Sequence, residues 1–582
     1  SIKVQARVNQ TESIMLFQEK AAKELLEFNN RREGPILEGD QKFFFETVKN
    51  IPDNQLSNWS VGMPNLRNKT SKVMLSKITN TNLVDRGEIH KQMSLNAINN
   101  LNSIYLYWSN RFQDEKNNYF FFDYDLDNSL LALFDRSKIK QLDTYNLFLQ
   151  ATNSHHALSP TNRKFYWNSI ENYFEPILYD ANPEIEASFS STTTAVARMP
   201  VSDYFEESLF NLYERLNAIN ITELQSKVKI SGLNLSQDEI KDKINKILDN
   251  LDYIKNDFSQ NLVKENILHN NFKPIENIYE KFNTNLREIN SDVYLIKHED
   301  KELLKCKIFL EDCKFYQVID KDLQSLLEGE LQIDNKHYQY VGKKIDLKDL
   351  SSNDRYKMRK FMSSTIFYEN GIQLEINEVN KTLQFNQTKV GSRAYIINGK
   401  LDDVSITFNG IKDPKNLIEN SISPPNYPIN LSGLTGCLSF VNIDFDNVNL
   451  FANNSSCEDT INLINTAGNI NEISINNSLS DAFDADFSNL RINSLNILSA
   501  LNDCTDFSGG KYDLINLNLK NCGDKAISIG EKSNVTIENI NVDSADIGIA
   551  TKDSSILLLK DAFLKNLRTC VSAYNKKQEF NG

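Results

Sequence analysis

From about residue 430, apolar and polar positions recur along the chain with a fixed period. Five strand-like runs, EISINN, SLNILS, NLNLKN, NINVDS and DAFLKN, begin at residues 472, 494, 516, 539 and 561, so each starts 22 or 23 residues after the one before. Such a period is typical of a solenoid in which each repeat forms one turn. The pattern therefore predicts one strand at the same place in every coil.

The repeat places three sets of apolar side chains in register. The first set is Ile473, Leu495, Leu517, Ile540 and Ala562, the second is Ile475, Ile497, Leu519, Val542 and Leu564, and the third is Phe487, Phe507, Ile527, Ile549 and Ser572. A coil of a parallel β-helix buries its apolar side only against neighbouring coils, and stacked ladders meet that need. We predict an all-β right-handed parallel β-helix, with KTLQFNQ, RAYIING, VSITFNG and CLSFVNIDF as its less regular first coils.

Before this repeat, the chain mixes the periods of strands and helices. The runs SIKVQARVN and SIMLFQEK predict a hairpin, and apolar residues near helical spacing predict helices over about 19–29 and 135–154. RKFYWN and EPILYD then predict a second hairpin. Further on, Ser236 and Glu239 form a capping box ahead of apolar residues at helical spacing, which predicts a long helix.

These patterns divide the chain into three predicted domains, which makes it a multidomain protein. They are an α+β domain over 1–290 with a helical extension over 201–290, a mixed α/β connector over 291–372, and the β-helix over 373–582, regular from about 430. A chain of 582 residues with 40% hydrophobic residues is long enough to bury several cores.

Charge and hydropathy exclude some classes of partner. With 64 basic against 78 acidic residues the net charge is −14, which opposes non-specific attraction to nucleic acid or to an anionic membrane surface. No run approaches the roughly 20 apolar residues that span a bilayer. We therefore expect no nucleic-acid partner and no membrane span.

Cysteine usage bears on the compartment. The chain has seven cysteines, an odd number that cannot all pair within one chain, and none forms a CxxC pair. We predict reduced, mostly buried thiols, which favours a cytoplasmic location. Because the chain opens on Ser1 rather than Met, we expect both ends to be cut from a longer protein, so a cell-surface or secreted location stays open.

The second predicted hairpin carries polar residues at its open end. His155, His156 and Asn162 precede its first strand, and Asp180 follows its second. The segments HHALSPTNRKFYW and FEPILYDAN, together with FQEKAAKELLEFNNRREGPIL near the start of the chain, resemble the spore-coat protein H kinases, an atypical branch of the protein-kinase-like fold. This resemblance covers about residues 1–200.

The resemblance implies a Mg²⁺- and ATP-dependent kinase that phosphorylates a hydroxyl of a protein or a polysaccharide. In the family pattern Asn162 and Asp180 hold the Mg²⁺, an ion that prefers oxygen ligands. His155 and His156 stand where kinases orient the acceptor, but the position of the usual aspartate holds Ala157. His156 is the better candidate for the general base, because histidine titrates near neutral pH. Capping or turn roles for these residues stay open.

The same resemblance assigns contacts to the nucleotide. Gln18, Glu19 and Lys20 match the hinge whose backbone binds adenine. Besides these residues, Arg163 is a candidate either to offer its charge to a phosphate or to pair with a carboxylate on the surface. Residues 1–18 match the last strands of the small lobe, so the glycine-rich loop and the phosphate-clamping lysine would lie upstream of them. We therefore expect a truncated small lobe, with a non-catalytic pseudokinase that serves as a surface or structural protein as the alternative.

The predicted β-helix also resembles polygalacturonase-type glycoside hydrolases, in the segments LSDAFDADFS, LNDCTDFSGG, NCGDKAISIGEKS and ADIGIATKDSS. Glycosidic cleavage needs two carboxyl groups flanking one bond, and Asp481 and Asp503 lie one predicted coil apart. Asp506 completes the candidate glycan site. The departures from that family are Asn502 in place of an aspartate, Asp524-Lys525 in place of a histidine and Ala550 in place of an arginine. We expect a scaffold or glycan-recognition surface, with polysaccharide cleavage as the less favoured alternative.

Overall fold

The computed structural model divides the chain into two compact units. Its described residues are 2–8, 11–17, 20–40, 75–111, 128–132, 135–158, 162–186, 202–230, 232–261, 293–299, 302–306, 314–316, 320–333, 336–343, 356–411, 429–577 and 580. The first unit comprises Ser1–Leu25 and Glu33–Ser352, and the second comprises Leu26–Arg32 and Asn353–Gly582. Among the described helices, none is long and apolar enough to cross a membrane.

The first unit is a mixed α/β region. Its elements in chain order are β1 (Ile2–Val8), β2 (Thr11–Phe17), α1 (Lys23–Phe28, which ends in the second unit), β3 (Ile36–Gly39), β4 (Ser76–Ile78), α2 (Glu88–Arg111), α3 (Asn128–Leu131), α4 (Arg136–Ala151), β5 (Lys164–Asn168), β6 (Tyr173–Ile177), α5 (Phe205–Asn217), α6 (Ile221–Ile230), α7 (Gln237–Asn261), β7 (Val293–Glu299), β8 (Glu302–Cys306), β9 (Lys314–Tyr316), α8 (Asp320–Leu327), β10 (Gln332–Ile333) and β11 (Lys336–Lys343). The described strands form an antiparallel pair β1-β2, a small antiparallel sheet of order β4-β3-β5-β6, and a five-stranded sheet of order β10-β11-β7-β8-β9.

Several local predictions for this unit are confirmed. The first hairpin forms, with Val8 opposite Thr11, and RKFYWN and EPILYD form the antiparallel pair β5-β6. The predicted capping box is present, because the Ser236 N–H donates to Glu239 Oε2 at 2.7 Å and the Glu239 N–H donates to Ser236 Oγ at 3.2 Å. It opens α7. Residues 262–290 of the predicted helical extension lie outside the described residues.

Two apolar clusters position the hairpin β5-β6. The buried Leu37, Phe165 and Trp167 of the small sheet belong to one cluster with Leu101 of α2. A second cluster joins α4, α5 and α7, whose buried residues include Leu147, Leu209 and Leu251. Since α4 leads directly into the 3₁₀ helix His155–Leu158, these cores fix both sides of the chain that carries the polar residues.

The second unit is a β-solenoid of about eight turns. Its strands in chain order are β12 (Tyr356–Phe361), β13 (Ser364–Glu369), β14 (Ile372–Asn377), β15 (Thr382–Gln387), β16 (Ala394–Asp402), β17 (Ser405–Asn409), β18 (Gly436–Ser455), β19 (Asp459–Ile464), β20 (Ala467–Ser478), β21 (Asp481–Asp486), β22 (Asn489–Ile497), β23 (Thr505–Ser508), β24 (Lys511–Lys520), β25 (Lys525–Gly530), β26 (Asn534–Lys552) and β27 (Ile556–Tyr574). The four runs predicted to form the first coils are strands β15, β16, β17 and part of β18, which pair in parallel. The antiparallel pair β12-β13 and strand β14, which pairs antiparallel with β15, precede them. The domain limits at 290 and 372 stay predictions.

Two of the three predicted ladders are confirmed, and the third is wrong. The ladders that begin at Ile473 and Ile475 pair in register from β20 through β27. In the third, only the pairing of Ile527 with Ile549 is correct. Phe507 pairs with Ala485 and Ile529, and Phe487 lies beyond the end of β21 with a φ of 53°. The small Ala485 gave no apolar signal, so the sequence pattern selected the nearby phenylalanine instead.

The cysteine prediction is also wrong. Cys437 and Cys457 form one disulfide and Cys504 and Cys522 another, while Cys570 is free and exposed. The Cys504–Cys522 bond closes a coil across its corner, where Cys522 is in register with Ala500 and Ala500 with Ser478 of the preceding coils. The argument from cysteines for a reducing compartment therefore no longer holds.

Thr460 and Ser478 show what a coil without a disulfide does at this corner. Their hydroxyl groups lie 2.7 Å apart and are 18 positions apart in the chain, the same separation as Cys504 and Cys522. Small side chains are required here because the two ends of the coil approach closely. The corner is thus joined by a covalent bond in one coil and by a hydrogen bond in another.

Candidate functional site

The hairpin of the first unit brings three of the predicted site residues together. His156 Nδ1 lies 2.8 Å from the backbone oxygen of Asp180 and 3.3 Å from its Oδ2. The Asn162 amide nitrogen lies 2.9 Å from His156 Nδ1 and donates to the His156 backbone oxygen at 3.1 Å. The turn of the 3₁₀ helix and the pairing of β5 with β6 produce this convergence, because they bring residues from both ends of the hairpin to one place.

The tautomer of His156 decides which of its hydrogen bonds form. Nδ1 donates to the oxygen of Asp180 when it carries a proton, and it accepts from the Asn162 amide when it does not. The side chains of His156 and Asp180 are about half exposed, at 53% and 51%, whereas Asn162 is buried. A ligand can therefore reach the side chains of His156 and Asp180, while the buried Asn162 amide forms hydrogen bonds with His156.

The other predicted residues of this site are Arg163, Lys20, Gln18, Glu19 and His155. Arg163 is buried, with its guanidinium carbon 5.2 Å from the ring centre of Phe165. Lys20 is exposed, whereas Gln18 and Glu19 lie outside the described residues. The backbone of His155 lies in the same 3₁₀ helix as His156, and its side chain is outside the described part.

A charged group that the sequence analysis did not identify adjoins the hairpin. Lys164, at the start of β5, forms an ion pair with Glu38 of β3, and its Nζ lies 4.1 Å from the ring centre of Tyr179. Lys77 of β4 lies 3.5 Å from the same glutamate. Glu38 and Lys164 are 126 positions apart, so only the strand pairing could have revealed the contact.

The donor atoms of the hairpin suit one class of metal. Within the described ranges no three His, Cys, Asp or Glu side chains are close enough to hold a metal ion. Asp180 and Asn162 offer one carboxylate and one amide oxygen. Mg²⁺ takes one or two carboxylate-type ligands and fills its remaining positions with water and phosphate oxygens, so these two ligand types are ones that Mg²⁺ accepts.

The second unit carries a row of aspartates along one corner of the solenoid. Asp459 is in register with Asp481. Asp481 Oδ1 accepts the backbone N–H of Asp503 at 2.8 Å, and Asp503 Oδ1 accepts that of Lys525 at 2.9 Å. The structure therefore places Asp481 and Asp503 one coil apart. Each carboxyl group also joins its own coil to the next through the backbone.

A second group of carboxyl groups lies on the outer side of the neighbouring sheet. Asp484 and Asp486 alternate with the fully buried Phe483 and Ala485 of β21. Asp484 is in register with Asp506 of β23. We call the side chains of Asp484, Asp486 and Asp506, together with Asp459 of the first row, the acidic face. Only Asp506 was among the predicted site residues, although the 22-residue register would have identified Asp484.

Residues Leu26–Arg32, which we call the strap, lie against this face within the second unit. Arg32 Nη1 donates to Asn462 Oδ1 at 2.8 Å and lies 3.5 Å from Asp486 Oδ2. Glu27 Oε2 is 2.9 Å from Lys577 Nζ. The strap therefore presents a guanidinium group to the acidic face.

Burial governs the protonation of these carboxyl groups. It raises the pKa of Asp481 to about 8, and the charge of Asp459 adds to the shift. The pKa values of Asp484, Asp486 and Asp506 are also raised, chiefly by burial, and Arg32 opposes the increase at Asp484 and Asp486. Burial therefore favours the protonated form of these carboxyl groups.

Comparisons with protein-family models, with curated proteins and with solved structures find no match for this chain. The resemblances to spore-coat protein H kinases and to polygalacturonases therefore stay interpretations of the residues that carry them.

Proposed function

We propose that the first unit is a Mg²⁺- and ATP-dependent kinase-like domain that phosphorylates a hydroxyl of a protein or polysaccharide. The convergence of His156, Asn162 and Asp180 supports this proposal. These are among the residues that the kinase resemblance selected, and Asn162 and Asp180 each lie within hydrogen-bonding distance of His156. A bound Mg²⁺ would neutralise charge on the phosphates of ATP.

Each of the three side chains has a distinct role in the proposed reaction. Asp180 and the oxygen of the Asn162 amide would hold the metal. His156, with its imidazole exposed and bonded through Nδ1, accepts the proton of the acceptor hydroxyl at Nε2. The backbone oxygen of Asp180 favours the tautomer with the proton on Nδ1, which leaves Nε2, 3.3 Å from the Asn162 amide nitrogen, as the basic atom.

Transfer of labelled phosphate from Mg²⁺-ATP to protein and glycan acceptors tests this proposal. We expect Asp180→Ala to abolish transfer and Asn162→Ala to reduce it steeply, because each removes a metal ligand. Glu184→Ala is the matched control, since this exposed side chain follows the same hairpin. Transfer that continues undiminished in Asp180→Ala would exclude that residue as a ligand. A chain that binds no nucleotide would favour the pseudokinase alternative.

For the second unit, we propose a scaffold with a glycan-recognition surface formed by the aspartates of the solenoid. The carboxyl groups of Asp481 and Asp503 support recognition over cleavage, because both accept backbone N–H groups of the following coil. Hydrolysis needs an acid and a second carboxylate that are directed at one glycosidic bond. Release of reducing sugars that Asp503→Asn abolishes would contradict this proposal and restore the hydrolase alternative.

A further inference from the structure

The last coil of the solenoid leaves its inward ladders open. The ladder that begins at Ile473 is buried through Ile540 of β26, but its next member, Ala562 of β27, is exposed. In the second ladder Val542 is fully buried, whereas Leu564 of β27 is only partly buried. Among the described strands β27 pairs with β26 alone, so its other edge is available to a further strand.

The outward side of this coil is apolar where the preceding coils are polar. Ile556, Leu558 and Phe563 of β27 are all exposed. The residues in register with them in the three preceding coils are Asn489, Lys511 and Asn534 for Ile556, Arg491, Asp513 and Thr536 for Leu558, and Asn496, Asn518 and Asn541 for Phe563. A solenoid normally ends in a repeat with a polar outer face, so this coil has the surface of one that another protein segment covers.

The first end of the solenoid is protected in a way that the last coil is not. There β12 pairs antiparallel with β13, and β14 pairs antiparallel with β15. The middle of β12 exposes Lys357, Arg359 and Lys360. Charged side chains on an edge strand oppose pairing with another chain. The apolar residues of β27 have the opposite effect.

The edge of β27 is compatible with a second copy of itself in one antiparallel register. The register of β27 with β26 is interrupted between Leu559 and Asp561, and inward side chains change there from odd to even positions. If the two interruptions lie opposite each other, Leu557 faces Leu564 of the second copy. Leu559 then faces Ala562. Inward residues thus meet inward residues on both sides of the twofold axis.

The same register makes the outward side complementary to itself. Leu558 faces Phe563 of the second copy, and Lys560 faces Asp561, so each contact occurs twice. Lys560 Nζ lies 3.0 Å from Glu538 of the preceding coil, and Asp561 of the second copy would extend that ion pair. Opposite charges and apolar pairs that face each other across two antiparallel strands stabilise the pairing.

We propose that the open edge of β27 is the interface of a twofold-symmetric dimer, in which the last coils of two copies pair as antiparallel strands. The inward ladders then continue from one solenoid into the other. A twofold interface uses the same surface on both copies and closes on itself, so assembly stops at two. The inference is independent of the functions proposed for the two units.

Sedimentation velocity of the intact chain over a range of concentrations tests the inference. We expect a dimer whose Kd rises at least about a hundredfold in Phe563→Asp, because two interface aromatic side chains are replaced by charges. Phe210→Asp is the matched control. Phe210 of α5 is 67% exposed and Phe563 is 62% exposed, so both variants exchange an exposed aromatic ring for a carboxylate. The control should keep the Kd of the parent chain.

Exchange of two charges tests the register itself. Lys560→Asp and Asp561→Lys should each raise the Kd at least about tenfold, because each places like charges opposite one another twice. The variant that carries both substitutions restores opposite charges and should return close to the Kd of the parent chain. Such a rescue would show that the single variants lost the contact and not the fold.

Four outcomes would overturn the inference. They are a parent chain that stays monomeric, an equal effect of Phe563→Asp and Phe210→Asp, a double charge exchange without rescue, and assemblies that grow beyond two copies with concentration. Hydrogen exchange separates the other possible occupant, a segment of the same chain. Protection of the β27 backbone that does not change with protein concentration would assign the edge to such a segment and would also overturn the dimer.

Discussion

The two candidate sites bring their residues together in different ways. In the solenoid, the same parallel register repeats from coil to coil. Asp484 is therefore in register with Asp506 of the next coil, as Asp459 is with Asp481. At the hairpin, Asn162 and Asp180 reach His156 from 6 and 24 positions away, through a turn and a strand pair that occur once. A repeated register lets one correct alignment identify many contacts, whereas a single hairpin has to be recognised by its own residues.

The two sites also differ in what their polar groups do for the fold. Asp481 is partly buried and Asp503 is buried, and both accept backbone N–H groups of the next coil, so their ionisation is linked to stability. His156 and Asp180 are half exposed and close to solvent. We therefore expect substitutions in the solenoid to alter stability and substitutions at the hairpin to alter chemistry.

The largest effect is expected from a charge placed inside a coil. Leu495 is fully buried in the ladder between Ile473 and Leu517. Leu495→Asp should lower the free energy of unfolding by at least about 4 kcal/mol, because it loses apolar burial and buries an unpaired carboxylate. Denaturant unfolding followed by circular dichroism measures this. Leu495→Ala, with an expected loss of about 3 kcal/mol, serves if the aspartate variant does not fold.

The exposed Asn493 of the same strand provides the control for that comparison. Asn493→Asp adds the same charge outside the coil and should change the free energy of unfolding by no more than about 0.5 kcal/mol. Equal losses in Leu495→Asp and Asn493→Asp would contradict the inward position of the ladder.

Loss of a corner disulfide should have the next largest effect. The Cys504–Cys522 bond closes a loop with a sequence separation of 18. The double substitution Cys504→Ala and Cys522→Ala should lower stability by about 3 kcal/mol, because the unfolded chain regains the freedom that the bond removed. Cys570→Ala is the control, since this thiol is free. An equally small effect in both variants would mean that the bond does not form in the folded protein.

Whether the sequence predicted a contact depended on how far apart along the chain the two contacting residues are. The ladders from Ile473 and Ile475 were predictable because apolar residues mark them in every coil. The corner disulfides were missed because counting cysteines ignores coil geometry, although Cys504 and Cys522 lie within one period of each other. Arg32 could not be placed at all, since no local pattern connects the strap to Asn462.

The hairpin was predictable for a different reason. His156, Asn162 and Asp180 were selected by a family pattern, and their proximity follows from the strand pair that encloses them. The ion pair of Lys164 with Glu38 was missed, because the strands that carry them are separated by most of the helices around the core. Local patterns thus predicted residues joined by a turn, but not those joined only by packing.

A smaller effect, with a definite sign, is expected in how the stability of the solenoid changes with pH. Burial raises the pKa of Asp481 from 3.8 to about 8, so the protonated form is favoured in the folded state. The contribution of protonated Asp481 to the free energy of unfolding is fully present at pH values below 3.8 and is lost as pH rises through about 8. Asp481→Asn keeps an oxygen acceptor without the charge. Its melting temperature should match that of the parent chain at pH 4 and exceed it at pH 9, and a gap that is constant with pH would contradict the assigned shift.

The smallest effects on stability are expected at the hairpin, where the comparison between the two regions is sharpest. His156→Ala removes a half-exposed side chain and should change the free energy of unfolding by no more than about 0.5 kcal/mol. Asn162→Ala should cost about 1 kcal/mol, since a buried amide and its bond to the His156 backbone are lost. Under the proposed function, both variants should nevertheless lower the rate of phosphate transfer by a much larger factor than they lower the fraction of folded protein. A loss of several kcal/mol in His156→Ala, measured by denaturant unfolding, would instead show that the cluster supports the fold of the hairpin and would remove the reason to regard it as a site.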